Sequence, residues 1–231
     1  MAELLESIEI ETAPKPDVSI IWMHGLGADG NDFVPIVQEL DLAGMPPIRF
    51  VFPHAPLQPV TINNGCVMRA WYDVSFGDLE GNSRRADDQG VRASQAAIGS
   101  LIEREVARST ASEHLVLAGF SQGGAIALHA GLRYPQRLAG IMALSTYLPL
   151  AESLAREAAA ANARTPIFMA HGTHDPVVPY AMGSGSRELL RRMGYNVTWH
   201  DYPMQHSVCL DEMRDISAWL RQTICAPPRT G

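Results

Sequence analysis

The stretch Leu115-Val-Leu-Ala-Gly-Phe-Ser121-Gln-Gly-Gly124 decides how this chain is read. Leu115 to Phe120 is a short apolar run, the pattern of a buried strand. Gly119-Phe-Ser121-Gln-Gly123 then reads as a sharp turn, and Ala125 to Leu132 as the helix it feeds. The spacing Gly-x-Ser-x-Gly matches a nucleophile elbow, where a serine sits on a strained strand-to-helix turn with its hydroxyl held out. Glycine has no Cβ, so strand and helix can approach closely around such a turn. The helix N-terminus beyond it aims free N–H groups and the positive end of its dipole at charge developing near Ser121.

Working outward, apolar runs alternate with helical periods along the chain. Leu4 to Glu11 alternates weakly, as an edge strand does, and Val18 to Met23 is dense in β-branched and apolar residues, as a buried strand is. Further strands are expected over 49–52, 138–144, 166–170 and 196–202. Helices are expected over 33–40, 89–108, 186–193 and 208–224, the last capped by Ser207, and the alanine-rich 151–163 reads as a helix or a loose excursion. This alternation predicts an α/β fold, a mostly parallel central sheet with helices on both faces. No repeat or linker divides the chain, so one domain is expected over 1–231, with frayed ends at about 1–3 and about 226–231. Residues 54–90 show no long period but carry Leu57, Val60, Met68, Trp71, Tyr72 and Phe76 among prolines and glycines. A loop this long inside a compact domain is usually functional, and this one reads as a flap lining a pocket.

Composition narrows the function. The formal charge is −7, with no run of Lys or Arg, which excludes a nucleic-acid-binding surface. Every apolar run is interrupted well short of a membrane span. The acidic start Met1-Ala-Glu-Leu-Leu-Glu6 lacks the basic and apolar regions of a secretory signal. Cys66, Cys209 and Cys225 are widely spaced and form no CxxC pair, the pattern of free thiols in a reducing compartment. A cytoplasmic location is expected; a homodimer is left open.

A serine hydroxyl needs a base within hydrogen-bond reach. Of eight histidines, His129, His200 and His114 fall within a helix, within a strand and on the wrong edge of the sheet. Among the other five, in the hydrolase chain order Ser, Asp or Glu, His, only His171, His174 and His206 follow Ser121, and only His206 follows the best-placed acid, Asp175. Pro176 restricts Asp175 to extended backbone, which fixes the direction of its side chain. The expected triad is therefore Ser121, Asp175 and His206. The expected oxyanion donors are the backbone N–H groups of Gln122, next to the nucleophile, and of Leu26, in the glycine loop His24-Gly-Leu-Gly-Ala-Asp-Gly30. Acting through backbone, both are expected to tolerate side-chain replacement. His171-x-x-His174-Asp175 has no standard zinc spacing. No metal and no cofactor is expected; His171 reads as a residue behind the triad.

Several blocks in order carry a resemblance. They are the glycine loop, Gly119-Phe-Ser-Gln-Gly-Gly-Ala125, Leu144-Ser-Thr-Tyr-Leu-Pro149, His171-Gly-x-x-Asp175-x-Val-Val-Pro179, Met204-x-His206-Ser207 and Asp215-Ile-x-x-Trp-Leu220. From about Val18 to Leu220 the chain resembles the carboxylesterase/acyl-protein thioesterase family of α/β hydrolases. Thr61-Ile-Asn-Asn-Gly65 and Trp71-Tyr-Asp73 are similar to its bacterial carboxylesterase branch. The resemblance implies the same triad and the same oxyanion donors. Gln205 departs from the glycine that usually precedes the family's catalytic histidine. The leading expectation is a serine hydrolase that cleaves short to medium carboxylic esters through an acyl-enzyme. The alternative is an acyl-protein thioesterase or lysophospholipase, and a remote third is a ligand-binding receptor on a hydrolase scaffold. Leu57, Met68, Trp71, Tyr72, Tyr147, Leu148 and Val178 are the candidate acyl-pocket residues. The expected partner is a small-molecule ester or thioester.

Overall fold

The computed structural model describes residues 4–75, 87–108 and 110–225. Both expected frayed ends, Phe76 and the flap residues up to 86 lie outside the described residues. Seven strands form the main sheet: β1 (Ser7–Glu11), β2 (Val18–Met23), β3 (Ile48–Pro53), β6 (Leu115–Phe120), β7 (Gly140–Leu144), β8 (Ile167–Gly172) and β9 (Val197–Tyr202), in the order β1-β3-β2-β6-β7-β8-β9. Edge strand β1 pairs antiparallel with β3, and every other pairing in this sheet is parallel. All residues of β2, β3, β7 and β8 are buried, as strands covered on both faces require.

The helices are α1 (Ile36–Glu39), α2 (Asp88–Ala107), α3 (Gln122–Arg133), α4 (Ala151–Glu157), α5 (Tyr180–Arg192) and α6 (Leu210–Ile224). Two apolar layers result. On one face Val91, Ile98, Leu101 and Ile102 of α2 join Ile126 and Leu128 of α3 against the sheet. On the other, Ile36 of α1 and Met213, Ile216, Trp219 and Leu220 of α6 pack on Phe50, Phe52 and Phe168. From the middle of the sheet the order runs outward through β3 to β1 on one side and through β7 to β9 on the other. Sheets of this type bind ligands at the carboxyl ends of the strands beside such a switch point, here between β2 and β6.

Several elements differ from expectation. The helix in 151–163 ends at Glu157, followed by a short 3-10 turn over Ala160–Asn162. The flap contains a hairpin, β4 (Leu57–Val60) and β5 (Cys66–Arg69). The helix expected over 33–40 shrinks to α1, because Pro35 disfavours helical backbone at the residue before it. Conversely α5 begins six residues before the expected Ser186, at Tyr180 just after Pro179. Its Gly183 and Gly185 weaken helix propensity. Packing requires Gly183: a Cβ there would press on the His171 ring, 2.9 Å from Cε1. Ser207 does not cap α6; Cys209 holds that position and makes no side-chain cap bond.

Glu212, in the first turn of α6, is fully buried. Burial pushes its carboxyl from the ordinary 4.5 up to about 8, and Asp215 adds to the rise. Between those two values the folded chain holds a proton that the unfolded chain has released. The contribution of Glu212 to stability is therefore fully present below the lower value and is lost as pH rises through the upper one. At about 1.4 kcal/mol per pKa unit, the loss is on the order of a few kcal/mol. Urea midpoints measured at pH 6 and pH 9 should drop for the native chain and stay nearly level for Glu212→Gln.

Candidate active site

Ser121 links β6 to α3 with φ 55° and ψ −121°, a backbone region that costs a non-glycine residue about 1–3 kcal/mol. Surrounding bonds hold it there. Its N–H donates to Leu144 O at 2.8 Å. Its carbonyl accepts from the Thr146 hydroxyl at 2.7 Å and from Ala125 N–H at 3.1 Å. Close packing demands the flanking glycines: a Cβ on Gly123 would fall 2.6 Å from His24 O, and one on Gly119 2.6 Å from Gly124 N. The start of the loop after β2 lies against the serine, with the Cβ position of Gly25 only 3.5 Å from Ser121 Cβ.

Two further strand ends complete the group. The loop after β8 carries Asp175, and the loop after β9 carries His206. Thr173 N–H donates to Tyr202 O (2.8 Å) and His174 N–H to Met204 O (3.1 Å), which ties the two loops together. Asp175 Oδ1 accepts from the N–H groups of Val177 (2.8 Å) and Val178 (2.9 Å). Its Oδ2 accepts from His206 Nδ1–H at 2.7 Å. A carboxylate only accepts, so the ring proton sits on Nδ1 and Nε2 is left to accept. The Ser121 hydroxyl donates to that Nε2 at 2.9 Å. The Asp175 side chain is fully buried, and that of His206 is 15% exposed. The expected Ser121, His206 and Asp175 are thus brought into one hydrogen-bonded line.

The expected oxyanion donors are two backbone N–H groups. Gln122 opens α3, so its N–H has no carbonyl one turn back to bond. In the glycine loop, Gly27 N–H bonds Arg69 O (2.9 Å) and Ala28 N–H bonds Gly25 O (3.3 Å). Among the described residues, Leu26 N–H between them has no backbone acceptor. His24 braces this loop: Ala55 N–H donates to its Nε2 (3.0 Å), so the proton sits on Nδ1 and is donated to Gly25 O (2.7 Å). Burial lowers the pKa of His24, in keeping with a neutral ring.

The structure corrects the expectation that the Gln122 side chain is dispensable. Its Oε1 accepts from Trp71 N–H (2.8 Å) and its Nε2–H donates to Tyr72 O (2.7 Å). Trp71 Nε1–H in turn donates to His24 O at 2.9 Å. One buried chain of bonds joins the elbow, the flap and the glycine loop. Gln122→Met keeps the length and removes both bonds, at about 1–3 kcal/mol each. A drop of about 2–6 kcal/mol in urea-unfolding stability is expected.

A family model described as phospholipase/carboxylesterase matches residues 6–224. The chain belongs to that family. Within it, acyl-protein thioesterase 1 of Neurospora crassa is 41% identical over 212 residues, covering 89% of this chain and 86% of that protein. Acyl-protein thioesterase 1 of Gibberella zeae is 37% identical over 223 residues, covering 94% of each. Among solved structures, Arabidopsis thaliana SOBER1 superposes with a TM-score of 0.81 at 30% identity, over 90% of this chain and 99% of that one. Zea mays acyl-protein thioesterase 2 gives 0.76 at 28%, over 94% and 99%. This family makes the chain a hydrolase with the α/β-hydrolase fold. No helix among the described residues is long and apolar enough to cross a membrane.

The candidate pocket residues of this family member are dispersed. Leu57 is 66% exposed on the hairpin, whereas Trp71 and Tyr72 are buried in the core with their polar groups engaged. Met68 is half-buried, its sulfur 3.6 Å from the Cβ position of Gly27. Tyr147 shares a hydroxyl–hydroxyl bond of 3.0 Å with Tyr72. Leu148 and Val178 are buried, and the Val178 carbonyl accepts from His171 Nε2–H (2.9 Å). His171 lies behind the line, 3.6 Å from Asp175 Oδ2, with burial lowering its pKa. Gln205 is exposed. A cleft of about 610 Å3 opens beside His206, and none of the candidates lines it. Phe33, Ile36, Phe120, Val208, Leu210 and Met213 form its apolar walls. Sequence reasoning missed it because its walls come from segments more than 80 residues apart, of which the motifs mark only Phe120 and the start of the 206–213 stretch.

Proposed function

We propose that this chain is a serine hydrolase that cleaves acyl thioesters through an acyl-enzyme, with S-acylated protein as the favoured substrate class. The hydrogen-bonded line Ser121–His206–Asp175 carries the reading. His206 Nε2 takes the hydroxyl proton as Ser121 Oγ attacks the thioester carbonyl. Asp175 holds the ring in the right tautomer and stabilises the imidazolium. The N–H groups of Gln122 and Leu26 receive the charge on the tetrahedral oxygen, and losing one such donor typically costs about 2.7–4 kcal/mol of barrier. The C–S bond breaks, and the imidazolium returns the proton to sulfur, releasing a thiol. Water, activated by His206 in the same way, then frees the carboxylic acid and restores Ser121.

The names of the relatives support thioesters over the short carboxylic esters that the sequence alone put first. The test is a matched series of oxyesters and thioesters with acyl chains from acetyl to palmitoyl. Thioesters with chains of eight carbons or more should be turned over at least as fast as the matched oxyesters. A steep fall in kcat/KM beyond butyrate, for both classes, would restore the short-ester reading.

A further inference from the structure

We infer that the cleft beside His206 seats the leaving-group side of the substrate, a peptide that carries its acylated cysteine next to apolar residues and a lysine or arginine. This inference rests on the acyl-transfer reading above and names what departs in it. In that chemistry the proton passes from His206 Nε2 to the departing sulfur, so the leaving group lies on the imidazole side of Ser121. The cleft lies beside that imidazole. The Phe120 ring lies 4.7 Å from the His206 ring, centroid to centroid, and both line the cleft.

Size and surface fit a peptide. A second cleft of about 290 Å3 shares Glu39, Leu210 and Met213 with the first, so the groove continues along α6. Leu210 is 66% exposed and Val208 38%, apolar surface open to a partner side chain. Charge gives the specificity. Asp32 and Glu39 line the first cleft, both exposed, and no lysine or arginine lines it. Neither acid has an ion-pair partner among the described residues. In the second cleft Arg221 is paired with Asp41 (3.2 Å), and Arg214 with Asp211 (2.7 Å). In a chain of net charge −7, this groove favours a cationic leaving group and repels one bearing phosphates.

The test uses two S-octanoyl cysteine peptides of equal length and apolar content, one flanked by lysines and one by glutamates. Thiol release gives kcat/KM for each, and the readout is their ratio, so a general loss of activity cancels. The native chain should prefer the basic peptide by about fivefold or more, the scale of two partly screened charge pairs. The preference should collapse in about 1 M salt, where screening acts within about 3 Å. The double variant Asp32→Asn, Glu39→Gln should bring the ratio close to one, and Leu210→Ala should weaken both peptides alike. Equal rates on the two peptides with the native chain, or a preference that survives the double variant, would overturn the inference. Thiol release that persists in Ser121→Ala would overturn the acyl-transfer reading instead.

Discussion

Ser121→Ala is expected to lower kcat by about 10⁶-fold, the scale seen when the nucleophile of a comparable triad is removed. The fold should survive the change. Alanine keeps the backbone bonds to Leu144, Thr146 and Ala125, which hold the elbow without help from the side-chain oxygen. Loss of the hydroxyl also frees His206 Nε2. The variant should therefore bind substrate and fail to turn it over. Thiol release from an S-acyl peptide checks the rate, and a thermal melt checks the fold.

Asp175→Asn is expected to lower kcat by about 10⁴-fold. The reason is local. The amide oxygen of Asn can still accept from Val177 and Val178 N–H, so the loop keeps its turn. The amide nitrogen then occupies the place of Oδ2 and presents a donor to His206 Nδ1. The ring answers by moving its proton to Nε2, where it can no longer accept from Ser121. A loss near 10⁴ with an unchanged melt would carry the tautomer argument. A loss of less than about tenfold would show that Asp175 does not orient the ring.

Much of this was legible in the sequence, and the particular failures have physical causes. The elbow is a local signal: strand, glycine, serine, glycine and helix within ten residues, fixed by contacts between near neighbours such as Gly119 and Gly123. The partners of Ser121 were legible because chain order and strand ends together leave few candidates. The hairpin has only a short local signal. Asn64-Gly65, with φ of 55° and 73°, is the positive-φ pair that favours hairpin turns, but strands of four residues are too short to show alternation. The early start of α5 was hidden because tertiary packing against His171 requires a glycine that helix propensity disfavours. The clamp made by the Gln122 side chain joins residues 50 positions apart, and no short-range pattern encodes such a bond. The cleft beside His206 has the same character, since it exists only where α1, β6 and α6 converge.

Two residues of the flap brace the neighbouring loops. Trp71 and Tyr72 are not free surface but the anchor of a bracket that sets the elbow and the glycine loop relative to each other. Electrostatic stabilisation by fixed donors is usually the largest single contribution to acyl transfer. A bracket of buried bonds is a way to keep such donors fixed between turnovers.

The most direct test of the account is to trap the acyl group. The chain is mixed with a slowly turned-over S-acyl substrate, quenched in acid, and its peptides are mapped by mass. The account predicts one acyl adduct, on the peptide containing Ser121, absent from Ser121→Ala. An adduct on any other residue, or continued thiol release with Ser121 never acylated, would contradict it.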